Sequence, residues 1–246
     1  MSADIPRDII KPLQPVLDMS PYLEPTETID SDNPEILAFA REHGQGPGGL
    51  SGTAVRLYYA VRDGLRYDPY TLDLRVDSLK ASNTLASGRG WCVSKAIVLT
   101  ACCRALGIPA RLGFADVRNH LSTERMRQIM KTDIFAWHGY TSIHLGGKWV
   151  KATPAFNVEL CEKFRLGTLE FNGREDSLYH PFDLDGKQHM EYLRDHGEFA
   201  DIPLDIIIED FAKHYPGVDY TSGQPDFDRE VEAEILKFEL PETGKT

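Results

Sequence analysis

Apolar positions along this chain follow two periodicities, and the boundaries between them predict its elements. The run VSKAIVLTACCRALG places Cys92, Ala96, Leu99, Cys103 and Leu106 at alternating spacings of four and three. Such spacing puts them on one helix face, which is expected to pack against the rest of the domain, with Gly107 closing the helix. Upstream, Asp32-Asn33-Pro34 reads as a capped helix start, because proline's missing N–H costs nothing in the first turn. This predicts a helix over 34–43. A second helix is predicted over 51–63, with Val55, Tyr58, Tyr59 and Val61 mainly inward and Gly64 ending it. Downstream the period drops to two. IPARLGFADV alternates Ala110, Leu112 and Phe114 with Arg111 and Gly113, the pattern of a half-buried strand, and residues 134–145 and 148–153 read as two more strands.

Those last two strands meet at Gly146-Gly147, a two-residue hairpin turn. Leu145 then pairs with Lys148, and Tyr140 stands opposite Thr153. By the same parity His138, Tyr140, Ser142 and His144 share a face with Trp149, Lys151 and Thr153. Ile143, Leu145, Val150 and Ala152 lie on the opposite, core-facing side.

Composition narrows the class. The chain has 246 residues, 41% of them apolar, and a net charge of −11. This suits one domain with extensions: an arm over 1–32, a core over 33–157 and an extension over 158–246 packed on the core. The start MSADIPRDIIKPL has no basic flank before an apolar run, and no stretch is apolar for bilayer length, so neither secretion nor membrane contact is expected. Cysteines at 92, 102, 103 and 161 lack disulfide-framework or CxxC spacing, which suits a reducing, cytoplasmic setting. The dispersed acidity argues against a nucleic-acid partner.

Chemistry concentrates at GRGWC. Cys92 begins its helix, where unpaired N–H groups and the positive end of the dipole favour a thiolate, so a catalytic Cys92 is expected to ionise well below an ordinary thiol. The same amides can receive the oxyanion of a tetrahedral intermediate. Gly90 and Trp91 allow close approach of substrate, and Tyr140 stands in the same region. His138 is the candidate base. His144 shares its face but lies too far along the strand, near the turn. A cysteine chosen blindly is more often a small core residue, and a lone strand histidine more often a satisfied one. Helix-start cysteine, following strand and histidine hairpin together reverse those odds.

The approach SNTLASGRGWC, the helix ending in RALGIPARLGF, the strand WHGYTSIHLGG and the return strand KWVKATP resemble the transglutaminase-like superfamily, over roughly residues 53–157. The resemblance implies an α+β fold of the papain type, with the nucleophile helix packed on an antiparallel sheet. It implies Cys92 as nucleophile and Cys–His acyl transfer on a protein, peptide or small-molecule acyl substrate, without cofactor. Hydrolysis of an amide or peptide bond is the first expectation, with transfer to an amine second. Similar proteins carry aspartate where this chain has Thr153. Thr153 can orient His138 by a hydrogen bond without charge, Asn157 or Asp133 can take the role, or the chain is a silent binding module. The position after Cys92 also departs, with Val93-Ser94-Lys95 where an acidic residue is common.

His180, Asp183, Asp185, His189 and His196 are metal-ligand types, but their spacing matches no established set, and no metal is expected. That segment can instead fold over the active site. Cys102 and Cys103 read as core. The terminal DFDREVEAEILKFELPETGKT predicts one charged amphipathic helix.

Overall fold

A computed structural model describes residues 18–119, 123, 126, 128, 130–179, 182–186, 190–216, 227 and 229–231. The first two predicted helices form as α1 (Pro34–Gly44) and α2 (Gly49–Gly64). Asn33 caps α1 by accepting from the Glu35 amide at 2.9 Å. Two short helices, α3 (Val76–Leu79) and α4 (Ala81–Ser87), lead to α5 (Cys92–Ala105). Between them β1 (Arg66–Tyr67) and β2 (Arg89–Gly90) make a two-stranded parallel ribbon, pairing Tyr67 with Gly90 beside the start of α5.

The main sheet holds β3 (Ala110–Asn119), β4 (Ile134–Leu145), β5 (Lys148–Ala152) and β6 (Met190–Phe199). Its order is β5-β4-β3-β6, and all its pairings are antiparallel. Two further helices, α6 (Val158–Lys163) and α7 (Leu204–His214), follow β5 and β6 respectively. The expected α+β architecture is the one found. The hairpin turn has φ of 58° at Gly146 and 85° at Gly147, the left-handed pair that matches strand twist. Its ladder runs from Leu145–Lys148 to Thr141–Ala152, the register read from the sequence.

α5 departs from expectation. Instead of one buried face it is buried all round, every residue from Cys92 to Arg104 being buried. The cause is its central position: α1, α2 and α4 cover one side, and β3 and β4 the other. Its charged residues turn inward onto carbonyls. Lys95 Nζ donates to the Arg62 and Leu65 carbonyls at 2.8 and 2.6 Å, at the end of α2. Arg104 Nε donates to the Ala110 carbonyl at 3.0 Å. β4 lies close on α5 because Gly139 has no side chain; a Cβ there would stand 2.9 Å from Val93 Cα. Thr141 fastens the contact, its hydroxyl donating to the Ala96 carbonyl at 3.0 Å. β3 is also more buried than a half-exposed strand, with Ala115 and Asp116 both buried, since side chains cover both of its faces.

Candidate active site

Cys92 opens α5, and the preceding Trp91 is extended and provides no side-chain cap, so the first-turn amides stay available. The backbone amides of Gly139, Val93 and Cys92 itself lie on the side of the sulfur and favour its charged form. Burial outweighs all three and pushes the thiol up to about 11. This reverses the sign expected from the helix position. Only 7% of Cys92 is exposed, and removing a thiolate from water costs more than three amides return. Burial thus favours the neutral thiol. Cys102 and Cys103 are fully buried in the core, as expected of them, and burial raises their thiols as well.

His138 is placed by an irregularity in β4. Along β3, Ala115 pairs with His138 but Val117 pairs with Phe135, so Ala136 and Trp137 both stand opposite Asp116. This is a β-bulge, and it puts Trp137 at φ 59°, a left-handed conformation that a bulky residue adopts only when its surroundings impose it. The surroundings are visible. Asp116 accepts from the Trp137 amide at 3.0 Å and is 2.6 Å from His196 Nε2. The His196 ring stacks on the Trp137 indole at 4.0 Å, and Tyr215 bridges the bulge by accepting from the Ala136 amide and donating to the Ile134 carbonyl. His138 follows directly. It is 5% exposed, and its neighbour Gly139 carries an amide that favours the charged form of Cys92.

Thr153 lies one step past the end of β5 and leaves the ladder. Its amide donates to the Ser177 carbonyl at 2.9 Å, and its carbonyl accepts from Tyr58 at 3.2 Å. Its hydroxyl is buried without a hydrogen-bond partner among the described residues. His138 and Thr153 line the same cavity of about 20 Å³, closed by Ala155, Phe156, Leu166 and Met190. The two other candidate orienters are engaged elsewhere. Asn157 accepts from the Tyr67 amide at 3.0 Å and donates to Glu159 at 2.7 Å, while Asp133 is a surface residue paired with Arg118 at 3.1 Å.

The remaining sequence candidates take varied places. Trp91 is buried, and its carbonyl accepts from the Ser94 hydroxyl at 3.1 Å. Gly90, at the end of β2, packs against the first turn of α5, where a Cβ would come 2.4 Å from Ser94 Oγ. Tyr140 lies across Gly113 on the outer sheet face, with Lys151 Nζ 4.9 Å from its ring and its hydroxyl in the field of Glu198 and Asp195. His144 sits near the turn against Trp149, ring centroids 5.2 Å apart. His180 and His189 fall outside the described residues, and His196 faces Asp116. Among the described residues no group of three or more His, Cys, Asp or Glu side chains could hold a metal ion. No helix among them is long and apolar enough to cross a membrane. Asp116 and Tyr192 carry no sequence signal as site neighbours, because a bulge and a strand pairing across some eighty residues have no local signature.

With this geometry in place, comparison with known proteins is direct. Residues 38–154 match the transglutaminase-like superfamily. Among curated proteins none matches the sequence. A crystal structure described as a candidate cysteine protease from Cytophaga hutchinsonii is 20% identical, with a TM-score of 0.46, over 76% of this chain and 48% of that one. A second, described as a candidate protease from Parabacteroides distasonis, is 16% identical with a TM-score of 0.35, over 48% of this chain and 23% of its own. The chain thus spans about half the length of the first and a quarter of the second.

Proposed function

We propose that the protein is a cysteine-dependent acyl-transfer enzyme in which Cys92 is the nucleophile and His138 the general base. The observation that carries this reading is that Cys92 opens α5 with no side-chain cap, and that β4 packs on this first turn at Gly139, the residue after His138. Because burial favours the neutral thiol, ionisation is coupled to attack: His138 takes the proton as sulfur bonds to the substrate carbonyl. The Cys92 and Val93 amides then face the developing oxyanion. Thr153, which shares the His138 cavity, is the proposed orienting partner. It supplies a hydrogen bond but no charge, so the imidazolium is held less strongly than by a carboxylate.

Collapse of the intermediate expels the leaving group and leaves an acyl-Cys92 thioester, which water cleaves with His138 as base. The substrate is a protein, peptide or small-molecule acyl donor, in a cytoplasmic setting. Partition of the acyl-enzyme tests the reaction class. With p-nitrophenyl acetate as donor and methylamine as competing acceptor, hydrolysis predicts acetate as the main product. Predominant N-methylacetamide would assign the chain to amine transfer. Absence of any acyl-enzyme would favour a binding module, the reading that the Thr153 position motivates.

A further inference from the structure

β6 lies beyond the family match and completes the main sheet at its β3 edge. Its pairing sets Tyr192 opposite Val117 and Met190 opposite Asn119, while the other side of β3 pairs Ala115 with His138. β6 and β4 therefore flank β3, and both reach one cavity. Met190 and Tyr179 line it together with His138 and Thr153. Tyr179 in turn stacks on Tyr192, ring centroids 4.8 Å apart and planes 25° from parallel. The Tyr192 hydroxyl is buried and has no hydrogen-bond partner among the described residues. A residue needed only for packing would be stabler as phenylalanine, because a buried hydroxyl without an acceptor carries a desolvation penalty.

We propose that Tyr192 is a further catalytic residue of the Cys92 reaction, its hydroxyl donating a hydrogen bond to the substrate carbonyl oxygen as that oxygen becomes an oxyanion. This rests on the reading of Cys92 as nucleophile. Two features of the phenol agree with it. Burial holds its ionisation well above that of an ordinary tyrosine, so at neutral pH it is a donor and not a base. Its ring is also held against Tyr179, which lines the cavity that His138 and Thr153 share. In the step, the S–C bond forms and the carbonyl π pair moves to oxygen, where the Tyr192 O–H meets it. The thiol proton passes to His138. Collapse re-forms the C=O bond and expels the leaving group, and Tyr192 keeps its proton throughout.

Two reagents separate this role from a structural one. Acylation of Cys92 by p-nitrophenyl acetate passes through an oxyanion, whereas alkylation by iodoacetamide, a displacement at a saturated carbon, does not. In Tyr192→Phe the acylation rate is expected to fall about 10²-fold, with alkylation of Cys92 unchanged and thermal stability equal or higher. Equal acylation in wild type and variant would overturn the proposal and leave the Cys92 reading intact. So would a matched fall in both reactions, or loss of the fold, since either marks a structural role for the hydroxyl. No acylation of Cys92 in the wild type would remove both the proposal and the reading beneath it.

Discussion

Lys95, three residues beyond Cys92, shows how far a single side chain can depart from its sequence reading. A lysine in a helix is normally solvated, and nothing in VSKAIVLTACC marks this one as buried. It is fully inaccessible, and burial pulls its ammonium down to about 7, against the opposing pull of Asp63. A pKa depressed in the folded state means that the unfolded chain holds more protons from about pH 7 up to the ordinary lysine value, so stability rises with pH across that window. The slope is about 1.4 kcal/mol per pH unit at most. Above the ordinary thiol value of 9.0, Cys92 contributes with the opposite sign, because its raised pKa lets the unfolded chain lose a proton first. Urea unfolding between pH 7 and 9 is therefore expected to show rising stability in the wild type and a flatter profile in Lys95→Met. Equal slopes would show that the two carbonyls Lys95 contacts keep it charged. Cys92 differs from Lys95 in that its position was legible: a glycine-bounded apolar run fixed where α5 begins. The sign of its pKa shift was not, because burial depends on α1, α2, α4 and the sheet enclosing α5 from opposite sides.

Among the elements, β4 has the most consequence for the site. Its hairpin register was legible because a Gly-Gly turn of two residues admits one pairing, and the ladder from Leu145–Lys148 to Thr141–Ala152 follows it. The bulge at Ala136-Trp137 was not legible, since it depends on Asp116, His196 and Tyr215, which come from three other segments. Parity puts Thr153 opposite Tyr140, but the ladder ends at Thr141–Ala152, and the turn of Thr153 toward Ser177 depends on the 158–179 segment being folded. The close approach of β4 to α5 gives a direct test at this scale. Adding a methyl at Gly139 puts Cβ 2.9 Å from Val93 Cα, and backbone cannot yield as a side-chain tip can. Gly139→Ala is expected to cost about 2 kcal/mol in chemical denaturation and to slow Cys92 acylation by about 10²-fold, as the strand carrying His138 shifts from the sulfur. Unchanged stability and rate would show that β4 does not set the geometry at Cys92.

For the whole molecule, the site is assembled from segments that only the tertiary fold brings together. The stretch 38–154 that matches the transglutaminase-like superfamily contains Cys92, His138 and Thr153, and the chain beyond it contributes β6 with Tyr192, His196 and Met190. The core was legible because its spacing is local: a cysteine at a helix start, a glycine-closed helix, then strands of period two. The added strand was not, since MEYLRDHGEF lacks the turn signals and the strict alternation that would mark it as a sheet edge. Its Asp116–His196 contact joins the two parts beside the residue that precedes His138. The account therefore turns on whether Cys92 becomes acylated with help from His138. Brief reaction with p-nitrophenyl acetate at pH 7, followed by peptide mass spectrometry, measures this in wild type and His138→Ala. The predicted result is acetyl on Cys92 and on none of the other three cysteines, with formation strongly reduced when His138 is absent. Acetyl distributed over other residues, or found on Cys92 to the same extent without His138, would contradict it.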